Sequence, residues 1–170
     1  MGKKIWQVAL IIIGVGVIIR GIYMIIGDPV EKDLLDYVNN HLKSAEKLSI
    51  RATDAYNATT GSNYKDDATM SDSLKQITIP TYSQFADSLH SLKPSTVDVQ
   101  GLNAKYISAT DTQLAGFKMM LIALEKEDST IVVEANRMIQ KGDKGIIDFD
   151  NALDSVSKKH DVEITKKKPK

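Results

Sequence analysis

The chain has 170 residues, of which 42% are hydrophobic and 26% charged, and its 22 Lys and Arg residues balance 22 Asp and Glu residues. This composition is typical of a globular domain and excludes a disordered or collagen-like chain. The sequence contains no cysteine, which excludes disulfide scaffolds, thiolate metal sites and cysteine nucleophiles.

The zero net charge hides three segments of different sign. Residues 1–27 carry a charge of +3, residues 28–157 carry −7, and residues 158–170 carry +4. Binding to duplex nucleic acid needs a basic face. Because the long central segment is acidic, we expect no nucleic acid among the partners of this protein.

Residues 5–27 are an apolar segment at the start of the chain. As a helix, the stretch from Ile5 to Ile26 spans about 33 Å, against about 30 Å for the hydrocarbon core of a bilayer. Arg20 lies away from its centre, where a long side chain can reach the interface. Aromatic residues near both ends are typical of membrane interfaces. The segment predicts a transmembrane anchor, marked by Ile5, Trp6, Arg20, Tyr23 and Ile26.

Two alternatives remain open for this segment: a cleaved signal peptide and a buried helix of a soluble domain. No small-x-small cleavage site follows it, which favours an uncleaved anchor. Lys3 and Lys4 precede the segment, whereas only Lys32 stands close behind it. The positive-inside rule therefore favours a cytosolic start over residues 1–4, with residues 28–170 on the extracytoplasmic side of the cell membrane.

The first two segments after residue 27 predict helices separated by a polar loop. Asp28 followed by Pro29 is typical of a helix start, and apolar or small residues then recur every three or four positions to about Thr59. Residues 60–79 are polar and predict a loop with one short helix over residues 68–76. Pro80 predicts the start of the next helix, which ends at residues 93–94.

Two longer helices follow. Residues 95–98 (STVD) predict a cap with an acidic first turn, and the apolar stripe behind it extends to Glu127. Residues 128–129 predict a turn and the cap of a final helix that extends to about Val156. This last stripe keeps its phase through Gly142 and Gly145, so we predict one helix, with a break at the glycines as the alternative.

Together these segments predict an all-α fold, in which an N-terminal transmembrane helix precedes an up-down antiparallel bundle of about four helices over residues 28–160. Aromatic residues make up only 6% of the chain, so we expect a core of Leu, Ile, Val, Ala and Met. Residues 161–170 predict a basic, disordered tail. This tail either contacts anionic lipid or envelope polymer, or it serves only solubility.

The sequence predicts no catalytic residue, no metal site and no cofactor. No glutamate is followed three residues later by histidine, as di-iron bundles require. Neither a G-x-S-x-G elbow nor a phosphate-binding glycine loop is present. We therefore expect no enzyme activity. A ligand pocket between helices is the remaining site hypothesis, with candidate lining residues Tyr82, Asn103, Tyr106 and Asn136.

The lysine-rich start, the single span and a cysteine-free helical domain rich in Lys, Asp, Ser and Thr resemble uncharacterised single-pass envelope proteins of Gram-positive bacteria. The segment Ile79–Thr110 is similar to such bundles. This resemblance concerns architecture and transfers no activity. The predicted function is that of a membrane-anchored extracytoplasmic helical bundle, acting as an interaction or accessory module for a protein partner in the envelope. The alternative is a membrane-tethered bundle that binds a small molecule or a lipid.

Overall fold

The computed structural model describes residues 28–164, and within this range the chain is helical without any strand. Four helices are present, so the predicted all-helical class is confirmed. The residues of the predicted anchor and residues 165–170 lie outside the described residues. Among residues 28–164, no helix combines the length and apolar character that a membrane crossing needs.

Helix α1 covers residues 29–57 and consists of Pro29–Asp36, a π-helical segment Tyr37–Leu42, and Lys43–Asn57. Its start is the predicted one. The Asp28 carboxylate accepts a hydrogen bond from the Val30 N–H at 2.9 Å, and Pro29 occupies the first turn. Proline suits this position because its missing N–H has no partner in a first turn.

Helix α2 confirms the predicted short helix over residues 68–76 but contradicts the predicted break between it and the helix at Pro80. It covers residues 67–91 without a break, as Asp67–Ser73, a π-helical segment Leu74–Thr78, and Ile79–Ser91. Pro80 lies in the first turn of the α-helical segment Ile79–Ser91, as predicted, but this segment continues a helix that has already begun. Proline normally disrupts a helix because it lacks an N–H and its ring clashes with the carbonyl four residues earlier. The π-helical segment just before Pro80 changes the local hydrogen-bond spacing, which accounts for the continuous helix.

Helices α3 (Val97–Lys126) and α4 (Ser129–Lys159) agree with the prediction, and α4 is continuous through both glycines. A tight turn joins them. Glu127 adopts a left-handed backbone with φ of 52°, and the Asp128 N–H donates to the Ala123 carbonyl at 3.1 Å. This is the bond of a Schellman motif, which ends a helix sharply. Asp128 then caps α4 by accepting from the Thr130 N–H at 2.8 Å.

Each helix packs against the next one in the chain, and α3 and α4 approach most closely. Small residues allow this approach. A Cβ atom added at Gly116 would lie 2.7 Å from the Ile139 side chain, and one added at Gly142 would lie 2.6 Å from the Gln113 Cβ. The backbones of α3 and α4 are therefore in direct contact along this stripe.

Most buried hydrophobic residues are Leu, Ile, Val, Ala or Met, as expected, and a few large aromatic side chains are buried among them. The largest fully buried side chains are led by Tyr37, Tyr56, Tyr82, Phe85, Phe117 and Phe149. Although few in number, the aromatic residues are concentrated on the inner faces of the helices. Packing also continues past residue 160, where we expected the tail to begin, since Val162 is 8% exposed and Ile164 packs against the core.

Candidate functional site

A row of aromatic rings runs through the interior of the bundle and connects all four helices. Neighbouring ring centroids lie 4.2–5.6 Å apart, within the range of favourable aromatic pairs. The closest pair, Tyr106 and Phe149, is stacked with an interplanar angle of 8°. In order along the row, the rings are those of Tyr56, Phe117, Tyr82, Phe85, Tyr106 and Phe149.

Beside this row, a hydrogen-bonded chain of three polar side chains crosses from α2 to α4. The Tyr82 hydroxyl donates to the Gln113 Oε1, and the Gln113 Nε2 donates to the Asp143 Oδ1 at 2.6 Å. Burial raises the pKa of Asp143 to about 6, although the bond from Gln113 acts in the opposite direction. The close approach of Gly142 to Gln113 brings the Asp143 carboxylate within reach of the amide.

The candidate pocket residues lie at different levels of the bundle. Tyr82 belongs to the polar chain, and Tyr106 stacks on Phe149. Asn103 is buried and accepts a hydrogen bond from the Tyr37 hydroxyl at 3.2 Å, while its own amide donates to the Leu89 carbonyl at 3.3 Å. The side chains that were predicted to face a ligand therefore find partners within the protein.

Asn136 lies apart from the other three pocket candidates. The contacts of Gly116 with Ala135 and Ile139 place Asn136 level with residues near 119 on α3. At 1.5 Å per residue, this is about 24 Å along the helix from Asn103. The structure does not bring these two asparagines together.

Three buried hydroxyls have no hydrogen-bond partner within residues 28–164: those of Tyr56, Thr78 and Thr110. An unpaired buried polar group costs free energy, so such groups are uncommon in a packed interior. The predicted ligand pocket remains a prediction.

A small cleft lies between the π-helical segment of α1 and the connection from α2 to α3. Its volume is about 30 Å³, which is space for about two water molecules. Its walls are formed by Asp33, Asp36, Tyr37, His41, Leu92, Lys93 and Pro94. A cleft of this size is too small for an organic ligand.

One end of the bundle carries a second cluster of polar contacts, which we call the clasp end; it comprises the starts of α1 and α3 and the end of α4. Here Asp33 of α1 caps α3. Its carboxylate accepts hydrogen bonds from the Ser95 N–H at 3.0 Å, the Thr96 N–H at 2.8 Å and the Thr96 hydroxyl at 2.6 Å. Burial acts to raise the pKa of Asp33, but these hydrogen bonds outweigh it and lower the pKa.

His160, at the end of α4, lies between two carboxylates at the clasp end. Its Nδ1 is 2.5 Å from the Asp28 Oδ2, and its Nε2 is 2.8 Å from the Asp98 Oδ2. The Lys159 ammonium also donates to the Asp98 Oδ2 at 2.8 Å. These contacts raise the pKa of His160 through its hydrogen bonds to Asp28 and Asp98.

The same contacts lower the pKa values of the two carboxylates, Asp28 and Asp98. The hydrogen bond from His160, followed by the one from the Val30 N–H, lowers the pKa of Asp28. Hydrogen bonds from Lys159 and then His160 lower the pKa of Asp98. The charges also suit the helix dipoles, because the acids lie at the starts of α1 and α3 and the cations at the end of α4.

Comparisons with known proteins add no assignment to this geometry. No protein-family model, no curated protein and no solved structure matches the chain. Within the part of the chain that the structure describes, no group of three or more histidine or carboxylate side chains is arranged to hold a metal ion.

Sequence reasoning missed the contacts at the clasp end, because it assigned Asp98 only to the first turn of α3 and gave His160 no role. A signal was available. In an up-down arrangement of four helices, the start of the first, the start of the third and the end of the fourth meet at one end. Acids at two of these positions and a histidine at the other predict a contact between them.

Proposed function

We propose that this protein is a membrane-anchored, extracytoplasmic helical bundle that acts as an interaction module of the cell envelope. The observation that carries the proposal is the contact between Asp28 and His160, at 2.5 Å. It brings the two ends of the described chain to the same end of the bundle. The apolar segment 5–27 joins the chain directly before Asp28, so an anchor formed by it would attach at the clasp end.

The same contact supports a membrane role for the basic tail. Lysines 166–168 and 170 follow His160 by only a few residues in sequence, and His160 lies at the end of the bundle to which the anchor would attach. A lysine close to an anionic membrane surface contributes about 1 kcal/mol of binding. On this proposal the tail contacts lipid headgroups and steadies the bundle on the membrane.

The rest of the bundle is then available to a protein partner. Helix α3 has 30 residues and a length of about 45 Å, so the turn at Glu127 and Asp128 would stand that far from the clasp end. Residues 28–157 carry a charge of −7. Complementary charge accelerates association and favours the correct partner, so we expect the partner surface to be basic.

Cysteine labelling in intact cells tests the orientation, since the chain has no cysteine of its own. Ser129 is exposed at the far end of the bundle, whereas Ser157 is only 4% exposed. We expect a membrane-impermeant maleimide to label Ser129→Cys in intact cells. The matched variant Ser157→Cys should react only after denaturation, which shows that labelling requires an accessible folded surface.

The partner is tested by placing a photo-crosslinking residue at Val133, a solvent-facing apolar position on α4 that is 65% exposed. Illumination of intact cells should yield a discrete crosslinked protein. Labelling of Ser129→Cys only after lysis would contradict the extracytoplasmic orientation. Loss of the protein from the membrane fraction would contradict the anchor, and the absence of any crosslinked protein from Val133 and other exposed positions would contradict the interaction role.

A further inference from the structure

Both ring nitrogens of His160 face carboxylate oxygens that belong to other helices. The Nδ1 lies 2.5 Å from Asp28 of the α1 cap, and the Nε2 lies 2.8 Å from Asp98 of α3. A neutral imidazole has one N–H and one bare nitrogen. It can therefore donate to only one of these carboxylates and must turn a lone pair towards the other. Only the protonated ring makes both bonds.

We propose that His160 is a protonation-controlled latch, which holds the end of α4 against the starts of α1 and α3 when its ring is charged and releases it when the ring is neutral. The latch is formed by residues that the structure describes. It operates whether or not the apolar segment 5–27 crosses a membrane, so it can succeed or fail independently of the proposed function.

The charges around the ring explain why protonation controls this contact. Asp28 faces it from α1, Asp98 faces it from α3, and Lys159 lies beside it on α4 and shares the Asp98 carboxylate. The His160 side chain is only 11% exposed, so water compensates little for a lost hydrogen bond. Without the imidazolium charge, two carboxylates face one lysine across the junction.

The latch adjoins the segment Asp161–Val162, which packs back onto the end of α4 and the core. The Asp161 backbone is left-handed with φ of 52°, and the Val162 N–H donates to the Ser157 carbonyl at 2.8 Å. This turn folds Val162 back onto the core, where it is 8% exposed. When the latch opens, the last turn of α4 and the Val162 contact are the first structure to separate. The cap of α1 remains, because the Asp28 Oδ1 bonds to Val30 while its Oδ2 bonds to His160.

The direction of the pH dependence follows from the raised pKa of His160. The closed latch contributes its full stability below the ordinary histidine pKa of 6.5, and this contribution is lost as the pH rises through the higher pKa of the closed state. The equilibrium constant for opening the latch is larger at high pH than at low pH. It increases about tenfold for each unit by which the pKa of His160 in the closed latch exceeds its pKa in the open latch. Mild alkalinity therefore opens the clasp end.

Nuclear magnetic resonance titration of the His160 ring in the full chain, purified in detergent, provides the first measurement. We expect its pKa to lie above 6.5. Asp98→Asn removes a facing negative charge and should lower this pKa. Lys159→Gln removes a neighbouring positive charge and should raise it. Opposite shifts from two neighbouring substitutions cannot arise from a general loosening of the structure.

Hydrogen exchange at the Val162 amide reports the opening itself. Its protection factor should fall by about tenfold per unit of pKa elevation between about pH 6 and pH 9. In His160→Gln, which cannot be charged, protection should be lower at pH 6 and should not vary with pH. A His160 pKa at or below 6.5, pH-independent protection in the parent protein, or shifts of the same sign in the Asp98 and Lys159 variants would overturn the latch.

Discussion

At the scale of single residues, Asp143 shows how packing can set the charge of a side chain. Its carboxylate is partly buried and accepts a hydrogen bond from the neutral amide of Gln113, at 2.6 Å. Burial raises its pKa from 3.8 to about 6. Because the folded state holds the proton more tightly than the unfolded chain, ionisation of Asp143 opposes folding. The contribution of Asp143 to the free energy of unfolding therefore falls as the pH rises from about 4 to 6, and it remains low above this range.

Asp143→Asn should remove this penalty, since the asparagine Oδ1 can still accept from Gln113. We expect the variant to be more stable than the parent by about 1 kcal/mol at about pH 8, allowing for solvent screening of a partly exposed group. The gain should vanish below about pH 4. Chemical unfolding of the full chain in detergent, followed by circular dichroism across this pH range, measures it.

The matched control is Asp148→Asn, on the same helix at an exposed position. This variant should show no comparable gain. An equal gain at both sites would assign the effect to the net charge of the bundle and not to the environment of Asp143.

Residue roles that depend on distant partners could not be predicted from local sequence. The pattern around residues 95–98 predicted a self-contained cap of α3. In the structure Thr96 makes no side-chain cap bond, Asp33 of α1 serves as the cap, and Asp98 bonds to His160 and Lys159. Asp33 and Thr96 are about 60 residues apart in sequence, and so are Asp98 and His160. Only the assembled bundle identifies such partners.

At the scale of elements, the contact between α3 and α4 depends on residues without side chains. A Cβ atom at Gly142 would lie 2.9 Å from the Gln113 Cα, which is backbone and cannot rotate away. The two helices would have to move apart to accommodate it. Gly101 on α3 is different, because a Cβ atom there meets nothing within 4 Å.

Gly142→Ala and Gly101→Ala form a matched pair with opposite expected signs. Alanine gains about 1 kcal/mol of helix propensity over glycine at either site. At Gly142 overpacking costs about 1–3 kcal/mol and should exceed this gain, so Gly142→Ala should destabilise the protein. It should also disturb the hydrogen bonds of Gln113. Gly101→Ala should instead stabilise the protein by about 0.5–1 kcal/mol. Urea unfolding measures both, and a stabilising Gly142→Ala would contradict the close approach of the helices.

The helices themselves could largely be predicted, and the exceptions have local physical causes. The starts of α1 and α4 and the continuity of α4 follow from caps and hydrophobic periodicity. The short helix over residues 68–76 was predicted, and Pro80 indicated the start of a separate helix. Residues 67–91 instead form one helix, because the π-helical segment Leu74–Thr78 accommodates the proline. π-Helical segments are rare, so the sequence alone offers no reason to expect one here.

At the scale of the whole molecule, contacts between distant parts of the chain close the bundle at one end. Asp33 joins the first helix to the start of the third, and His160 joins the fourth helix to both. At the other end, residues 58–66 and the tight turn at residues 127–128 connect helices that follow each other in the chain. The cohesion of the clasp end therefore depends on side chains, and it should respond to mutation and pH more strongly than the turns do.

Asp33→Ala should lower the free energy of unfolding by about 1–2 kcal/mol at about pH 7, the usual cost of losing a helix cap. Because the pKa of Asp33 is lowered in the folded state, its carboxylate stabilises the fold fully above pH 3.8. This stabilisation is lost as the pH falls through the folded pKa. The difference in unfolding free energy between the variant and the parent should therefore shrink in acid. Unfolding curves at several pH values measure this.

Asp36→Ala is the control for this substitution. Asp36 lies on the same helix, its side chain is 54% exposed, and its contacts with Asn40 and His41 are local. This variant should change the stability by no more than about 0.5 kcal/mol. A similar loss from both variants would show that the Asp33 bridge to α3 has no special role.

The nearness of residues 28 and 160 has a consequence for the order in which the helices can be connected. Chain ends that lie close together can be joined by a short linker, and the chain can be reopened at an exposed turn. A permuted chain that begins at Asp128 and ends at Glu127 would keep the same four helices but would start and finish at the opposite end of the bundle. A tether attached to the new ends would then hold the bundle in the inverted orientation, with the clasp end farthest from the point of attachment.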